Sequence, residues 1–163
     1  MLFVRKVGAW LIPIYSVVFH HFMTNHSTVI DPSLEQYRPR IDDMMTAPFI
    51  NHLGIVLVSV TPTEVRMSMK LRPEFMNSNG VGHGGVIYTI ADHAAAVAAN
   101  VESDAVGQNG NITYHRPLIS DEMEVVSTRI NSSRSLDIQD VRVYSAGKLI
   151  ASGVFTAFKV RKG

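Results

Sequence analysis

The sequence contains no cysteine and no excess of charge of either sign. Its 163 residues therefore cannot form a disulfide, a zinc–thiolate site or a cysteine nucleophile, and we take the reducing cytoplasm as the default location. Lys and Arg together number 15 against 14 for Asp and Glu, so the basic surface that nucleic acid requires is not expected. The length and an apolar fraction of 46% predict a globular protein with a hydrophobic core.

A long hydrophobic run is also missing. The uncharged stretch from Val7 to Phe19 is shorter than the roughly 20 residues of a membrane-spanning helix, and no small-residue cleavage site of a signal peptide follows it. Residues 1–23 place polar and apolar side chains on opposite sides of a helix that Pro13 would bend. This pattern favours packing on the domain or on a second subunit, with weak contact to a membrane surface as the alternative.

The segment that follows is more polar and rich in turn signals. Residues 24–46 contain Pro32 and Pro39, which is typical of a connector with a short helix before Pro48. We therefore expect residues 1–42 to form an N-terminal helical extension and connector, and residues 43–163 to form the main domain.

From Gly54 onward the pattern is that of strands around one long helix. Alternating apolar residues on both sides of "TPT" (61–63) predict a hairpin within residues 54–72. Residues 83–101 have helical periodicity, and four strand-like segments follow between residues 109 and 160. This order predicts an α+β fold in which one helix packs against an antiparallel sheet.

The predicted helix has almost no charge. Between Phe75 and Val101, Asp92 is the only Asp, Glu, Lys or Arg. Because a solvent-facing helix carries a stripe of charged residues, we expect this helix to be enclosed on most sides. Burying an unpaired carboxylate costs several kcal/mol or raises its pKa, so Asp92 is either paired in a structural network or used by a site.

Glycine is concentrated immediately before this helix. The segment "NSNGVGHGG" (77–85) brings Gly84 and Gly85 to the helix N-terminus. Unpaired N–H groups there can bind an anion or a polarised carbonyl oxygen, and glycine lets a substrate approach the backbone. A glycine turn and an acid on one helix are compatible with acyl transfer. Tyr88 and Thr89 share the face of Asp92 and are expected, with Gly85, to contact the substrate.

Four parts of the sequence match the pattern of a known family. They are "PFINHLGI" (48–55), the spacing from Asn77 through "HGG" (83–85) to Asp92, "NITYHRPLISDEMEV" (111–125) and "GKLIASGVFTAF" (147–158). Together they make residues 43–160 resemble the PaaI-like branch of the hotdog-fold acyl-CoA thioesterases. The resemblance implies a long helix wrapped by a curved antiparallel sheet, and a homodimer or a dimer of dimers.

The resemblance also implies a chemistry: hydrolysis of an acyl-CoA thioester to the free acid and CoA, without metal or cofactor. Asp92 would be the nucleophile or the general base, and the backbone N–H of Gly84 would polarise the thioester carbonyl. Asn77 would orient water or substrate, and His83 would shape the glycine turn. The acid and the glycine turn of one site would come from different subunits.

One position departs from the family pattern. Some relatives have Ser or Thr where this chain has Gly107, four residues before Asn111. Gln108 or Asn109 is the expected substitute, although neighbouring side chains of a strand point in opposite directions. An acyl-CoA-binding protein without catalysis is therefore the alternative to a thioesterase. Aromatic and long-chain acyl groups are both compatible with the sequence.

Overall fold

The structure, a computed structural model, describes residues 28–160. The helix predicted within residues 1–23 lies outside this range. In chain order the elements are β1 (Val29–Ile30), a 3-10 helix (Pro32–Tyr37), α1 (Arg38–Met44), α2 (Pro48–Leu53), β2 (Val56–Val60), β3 (Glu64–Lys70), a 3-10 turn (Pro73–Phe75), α3 (Gly84–Asn100), β4 (Ala105–Tyr114), β5 (Glu122–Ser132), β6 (Leu136–Ser145) and β7 (Lys148–Lys159).

The α+β order predicted from the sequence is confirmed. Helix α1 is the short helix expected before Pro48, whereas α2, which begins at Pro48, was not predicted. The prolines of this region begin helices rather than separate them: each stands in the first turn, where a missing backbone N–H leaves no helical hydrogen bond unmade.

Over residues 28–160, seven strands form one sheet in the order β1-β2-β3-β5-β6-β7-β4. All neighbouring strands are antiparallel except β1 and β2, which are parallel. Strand β4 forms one edge of the sheet and pairs only with β7 among the described strands. This edge strand follows directly from α3, which places the helix and the sheet edge beside each other.

Helix α3 packs one face against the sheet and contacts β3 through β7. The sheet curves around this helix. The face consists of the apolar residues that helical spacing predicted, and the facing strand residues alternate as expected. The buried helix residues are Ile87, Ile90, Ala91, Ala94, Ala95, Val97, Ala98 and Ala99. All of them except Ala99 belong to one core cluster with Val65, Met67, Met69, Val125, Val141 and Val143.

The opposite face of α3 is open in the single chain. Gly85 and Asp92 are exposed, while Tyr88, Thr89 and Ala96 are half-buried. We expected the helix to be enclosed on most sides. In the single chain it is enclosed only on the side that faces the sheet. Among the described residues, no helix combines the length and apolar character needed to cross a membrane.

Candidate active site

The N-terminus of α3 is shaped by His83. This residue is the helix N-cap with φ −65° and ψ 134°, and its Nδ1 atom accepts a hydrogen bond from the Gly85 N–H at 2.9 Å. Its own N–H donates to the carbonyl oxygen of Phe75 at 2.8 Å. The expected role of His83 in shaping the turn is consistent with these contacts. The N–H of Gly84, by contrast, has no acceptor within residues 28–160, so it is available to a substrate.

Asn77 closes the loop that leads into the helix. Its Oδ1 atom accepts from the N–H groups of Asn79 at 2.8 Å and Val81 at 3.4 Å, and its N–H donates to the Val81 carbonyl at 2.8 Å. Both lone pairs of Oδ1 are therefore engaged in the turn. The side-chain NH₂ group of Asn77 is the part that can act on a water or a substrate, and it can only donate.

A groove of about 370 Å³ lies between this helix N-terminus and the loop that follows β4. Two of the predicted site residues, Asn77 and Gly84, line it. The remaining walls are Val81, Gly82, Ile87, Tyr114, His115, Arg116, Pro117 and Leu118.

Tyr114 is a residue of this groove that the sequence did not single out. Its hydroxyl donates to the carbonyl oxygen of Gly84 at 3.0 Å, although the two residues are 30 positions apart. The neighbouring His115 has its Nε2 atom 2.8 Å from the Oγ atom of Ser152. Both Tyr114 and His115 fall in the segment "NITYHRPL", whose position after the helix was the available signal.

Asp92 is the unpaired acid of α3. Its side chain is exposed in the single chain and has no hydrogen bond or ion pair with any residue of the described range. Nearby protein atoms still displace enough water to raise the pKa of its carboxyl above the ordinary value. The structural role considered for Asp92, a pair with a basic group, is not found in this part of the chain.

One chain does not bring Gly84 and Asp92 together. They are eight residues apart on one helix, which corresponds to about 12 Å along its axis. A thioester carbonyl that contacts both groups would need each of them within about 3 Å. Within one chain, the Gly84 N–H and the Asp92 carboxylate are therefore too far apart along the helix to contact the same carbonyl group.

The remaining predicted residues have local contacts. The centroid of the Tyr88 ring lies 5.5 Å from the centroid of the Phe155 ring. The Thr89 hydroxyl donates to the Gly85 carbonyl at 2.8 Å, within the helix. Neither residue lines the groove at Gly84 in the single chain.

Gln108 and Asn109 lie at a bulge in β4, where the register with β7 shifts between Gly107 and Asn109. Gly107 pairs with buried Ala157, whereas Asn109 pairs with Thr156 on the other face of the sheet. Gln108 is the inserted residue. The chain does not bring either side chain to its own groove.

No group of three or more His, Asp or Glu side chains within residues 28–160 is placed to hold a metal ion. The polar groups that line the groove are the Gly84 N–H, the Asn77 amide, the Tyr114 hydroxyl, the His115 ring and the Arg116 guanidinium.

Comparisons with known proteins agree with this picture. A family model described as the thioesterase superfamily matches residues 79–148. The crystal structure of the TT0310 protein from Thermus thermophilus is 33% identical with a TM-score of 0.69, covering 71% of this chain and 100% of that chain. A mutant of the phenylacetic acid degradation protein PaaI from the same organism is 32% identical with a TM-score of 0.68, covering 70% and 100%. The hotdog fold expected from the sequence is thereby confirmed.

Human acyl-coenzyme A thioesterase 13 is 30% identical over 108 residues, which are 63% of this chain and 77% of that protein. Other relatives are matched over a smaller part. The chain spans 44% of a putative esterase from Deinococcus radiodurans, at 30% identity over 64 residues that are 39% of this chain.

Proposed function

The chain belongs to the thioesterase superfamily, and we propose that it hydrolyses an acyl-CoA thioester to the free acid and CoA. The observation that carries this proposal is the groove at the N-terminus of α3, where the Gly84 N–H has no acceptor within residues 28–160. The second support is Asp92, a carboxylate on the same helix without a partner in that range.

The protein would act as a homodimer, alone or as a dimer of dimers. Strand β4 is ten residues long, and one of its edges has no strand partner within the described residues. Such an edge presents unpaired N–H and C=O groups to another strand. A second copy of the chain can satisfy them by adding its own β4 in the antiparallel direction, which continues the sheet across a twofold axis.

The position of this axis determines which residues meet. The Tyr88 hydroxyl lies next to Gly110, at the middle of β4. A twofold axis beside Gly110 would therefore pass close to Tyr88. Gly84 and Asp92 lie four residues to either side of Tyr88, so two antiparallel copies of α3 would place Gly84 of one subunit level with Asp92 of the partner subunit. This supports a site built from two chains.

In such a site the Gly84 N–H donates to the thioester carbonyl oxygen and stabilises the negative charge that develops there. As a general base, Asp92 of the partner subunit removes a proton from water, and the oxygen of that water attacks the carbonyl carbon. The tetrahedral intermediate then breaks its C–S bond, and CoA leaves as the thiolate and takes up a proton. As a nucleophile, Asp92 would instead form an anhydride that water hydrolyses in a second step.

The alternative function is acyl-CoA binding without hydrolysis. One observation favours it: Gly107, where some relatives have a hydroxyl side chain, faces open space and brings no group to assist the water. The unpaired Asp92 favours hydrolysis, because a carboxylate without a partner in the described range can still act on a substrate or a water.

Release of free CoA from aryl, short-, medium- and long-chain acyl-CoAs tests the proposal. We expect one class to be hydrolysed, and Asp92→Asn to reduce kcat/KM by about 10²- to 10⁴-fold. Asp42→Asn is the matched control, because Asp42 is an exposed acid on α1 outside the groove. Binding of acyl-CoA without turnover by the unmodified protein would establish the alternative instead.

A further inference from the structure

The peptide group between Gly84 and Gly85 is held from two sides. Its N–H, which belongs to Gly85, donates to Nδ1 of His83 at 2.9 Å. Its carbonyl oxygen, which belongs to Gly84, accepts from the hydroxyl of Tyr114 at 3.0 Å. Because a peptide group is planar, fixing its N–H and its C=O together fixes the plane.

The peptide group on the other side of Gly84 is also held. Its carbonyl oxygen, which belongs to His83, accepts from the Val86 N–H at 3.0 Å and from the Ile87 N–H at 3.4 Å. Gly84 therefore sits between two restrained planes. The Gly84 N–H lies in the plane shared with His83, and the two backbone torsions of Gly84 join that plane to the plane shared with Gly85. Because glycine itself restrains these torsions weakly, holding the plane shared with Gly85 limits the directions that the Gly84 N–H can take.

Tyr114 supplies the restraint that comes from outside the turn. A Cβ atom built on Gly84 would lie 3.4 Å from the Cζ atom of Tyr114, so the ring also covers the Gly84 backbone. The ring itself remains 48% exposed and forms part of the groove wall. Desolvation, and secondarily the nearby Tyr88, raise the pKa of the Tyr114 hydroxyl, which keeps it a protonated donor at neutral pH.

We propose that Tyr114 is a positioning residue that holds the Gly84 N–H in the orientation that binds the thioester carbonyl. This inference rests on the proposed function. Tyr114 is the last residue of β4, the strand that we propose pairs between subunits. Its hydroxyl thus connects the edge of the sheet to the glycine turn.

The test compares Tyr114→Phe with the matched variant Tyr37→Phe, which removes a hydroxyl from a half-buried ring outside the groove. Two acyl-CoA analogues report on the carbonyl contact: a ketone with CH₂ in place of sulfur, and a thioether with no carbonyl. We expect Tyr114→Phe to weaken binding of the ketone by about 5- to 10-fold and leave the thioether unchanged. On a thioester, kcat should fall by about 10- to 100-fold with KM within about twofold.

Each outcome decides the matter. If Tyr114→Phe weakens the binding of both analogues equally, Tyr114 is only part of the groove wall and the proposal is overturned. Unchanged binding of both analogues together with an unchanged kcat would also overturn it. If the unmodified protein hydrolyses no thioester, the proposed function fails, yet selective weakening of the ketone would still establish the positioning role. Failure of the unmodified protein to bind either analogue would overturn both the proposed function and the positioning role.

A thermal unfolding midpoint for Tyr114→Phe within about 2 °C of wild type confirms that the variant is folded. If Tyr114→Phe is not folded, Tyr114→Leu is tested with the same two analogues instead.

Discussion

Mixed dimers of two inactive variants should regain activity if each site takes Gly84 from one chain and Asp92 from the other. Asp92→Asn removes the acid. Gly84→Pro removes the N–H donor with little expected effect on the helix, because proline is favoured at the first helical position. The preceding residue is compatible as well: His83 already has φ −65° and ψ 134°, the region that a residue before proline adopts.

The size of the effect follows from counting sites. A mixed dimer has one site with both groups intact and one site with both groups altered. Random pairing of equal amounts makes about half of the dimers mixed, so about one quarter of all sites should have wild-type activity. Each variant alone should retain less than about one hundredth, since loss of one oxyanion donor costs about 10²- to 10³-fold and loss of a general base a similar factor.

The assay is release of free CoA after the variants are mixed, unfolded in denaturant and refolded together. Gly84→Ala, which keeps the N–H, should remain active and serves as the control for the substitution itself. Activity of the mixture no greater than the sum of the two variants, with mixed dimers demonstrated by mass spectrometry, would refute the two-chain site. Full activity of either variant alone would refute the role of the altered residue.

Two further predictions concern stability and pH. A Cβ atom at Gly110 would lie 2.4 Å from the Tyr88 hydroxyl and 2.6 Å from Cε1 of Phe155. Gly110→Ala should therefore lower the free energy of unfolding, measured by denaturant titration, by about 1–3 kcal/mol. Gly107→Ala is the control and should leave the free energy of unfolding unchanged, because a Cβ atom there would meet no other atom within 4 Å. The folded-state pKa of Asp92 is raised above the ordinary value of 3.8, so ionisation of this acid destabilises the folded protein at pH values above that raised pKa and has no effect below the unfolded value. Asp92→Asn should therefore unfold at a higher temperature than wild type at pH 7 and at the same temperature near pH 3. The acid limb of the pH profile of wild-type kcat/KM should lie above pH 3.8. Equal unfolding temperatures of the two proteins at both pH values would contradict the prediction.

The sheet and the long helix could be predicted because their signals are local. Val65, Met67 and Met69 alternate along β3, and all three side chains are buried. The parallel pairing of β1 with β2 could not be predicted, because two residues, Val29 and Ile30, are too few to show a period. Helix α2 was not predicted for a different reason. Proline usually marks the end of a helix in a sequence, but Pro48 stands at the first position of this helix.

The site was predictable where neighbouring residues build it. His83 caps a helix that begins one residue later, so the sequence indicates the turn directly. The contact of Tyr114 with Gly84 depends instead on where β4 ends relative to α3, which is a property of the tertiary structure. Asn77 was identified through the resemblance to the family, but only the structure reveals that its side-chain carbonyl oxygen is engaged and that its NH₂ group is the part left for chemistry.

The low charge of α3 is not explained by the contacts of the single chain. The sequence predicted an enclosed helix because Asp92 is its one charged residue, yet the face that contains Gly85 and Asp92 is open in one chain. A face that stayed in water would not need to exclude Lys, Arg and Glu along its whole length. We infer that this face is covered by the same face of a second copy, with the two faces meeting around Tyr88. That arrangement would also desolvate Asp92 further, and so raise its pKa beyond the value it has in one chain.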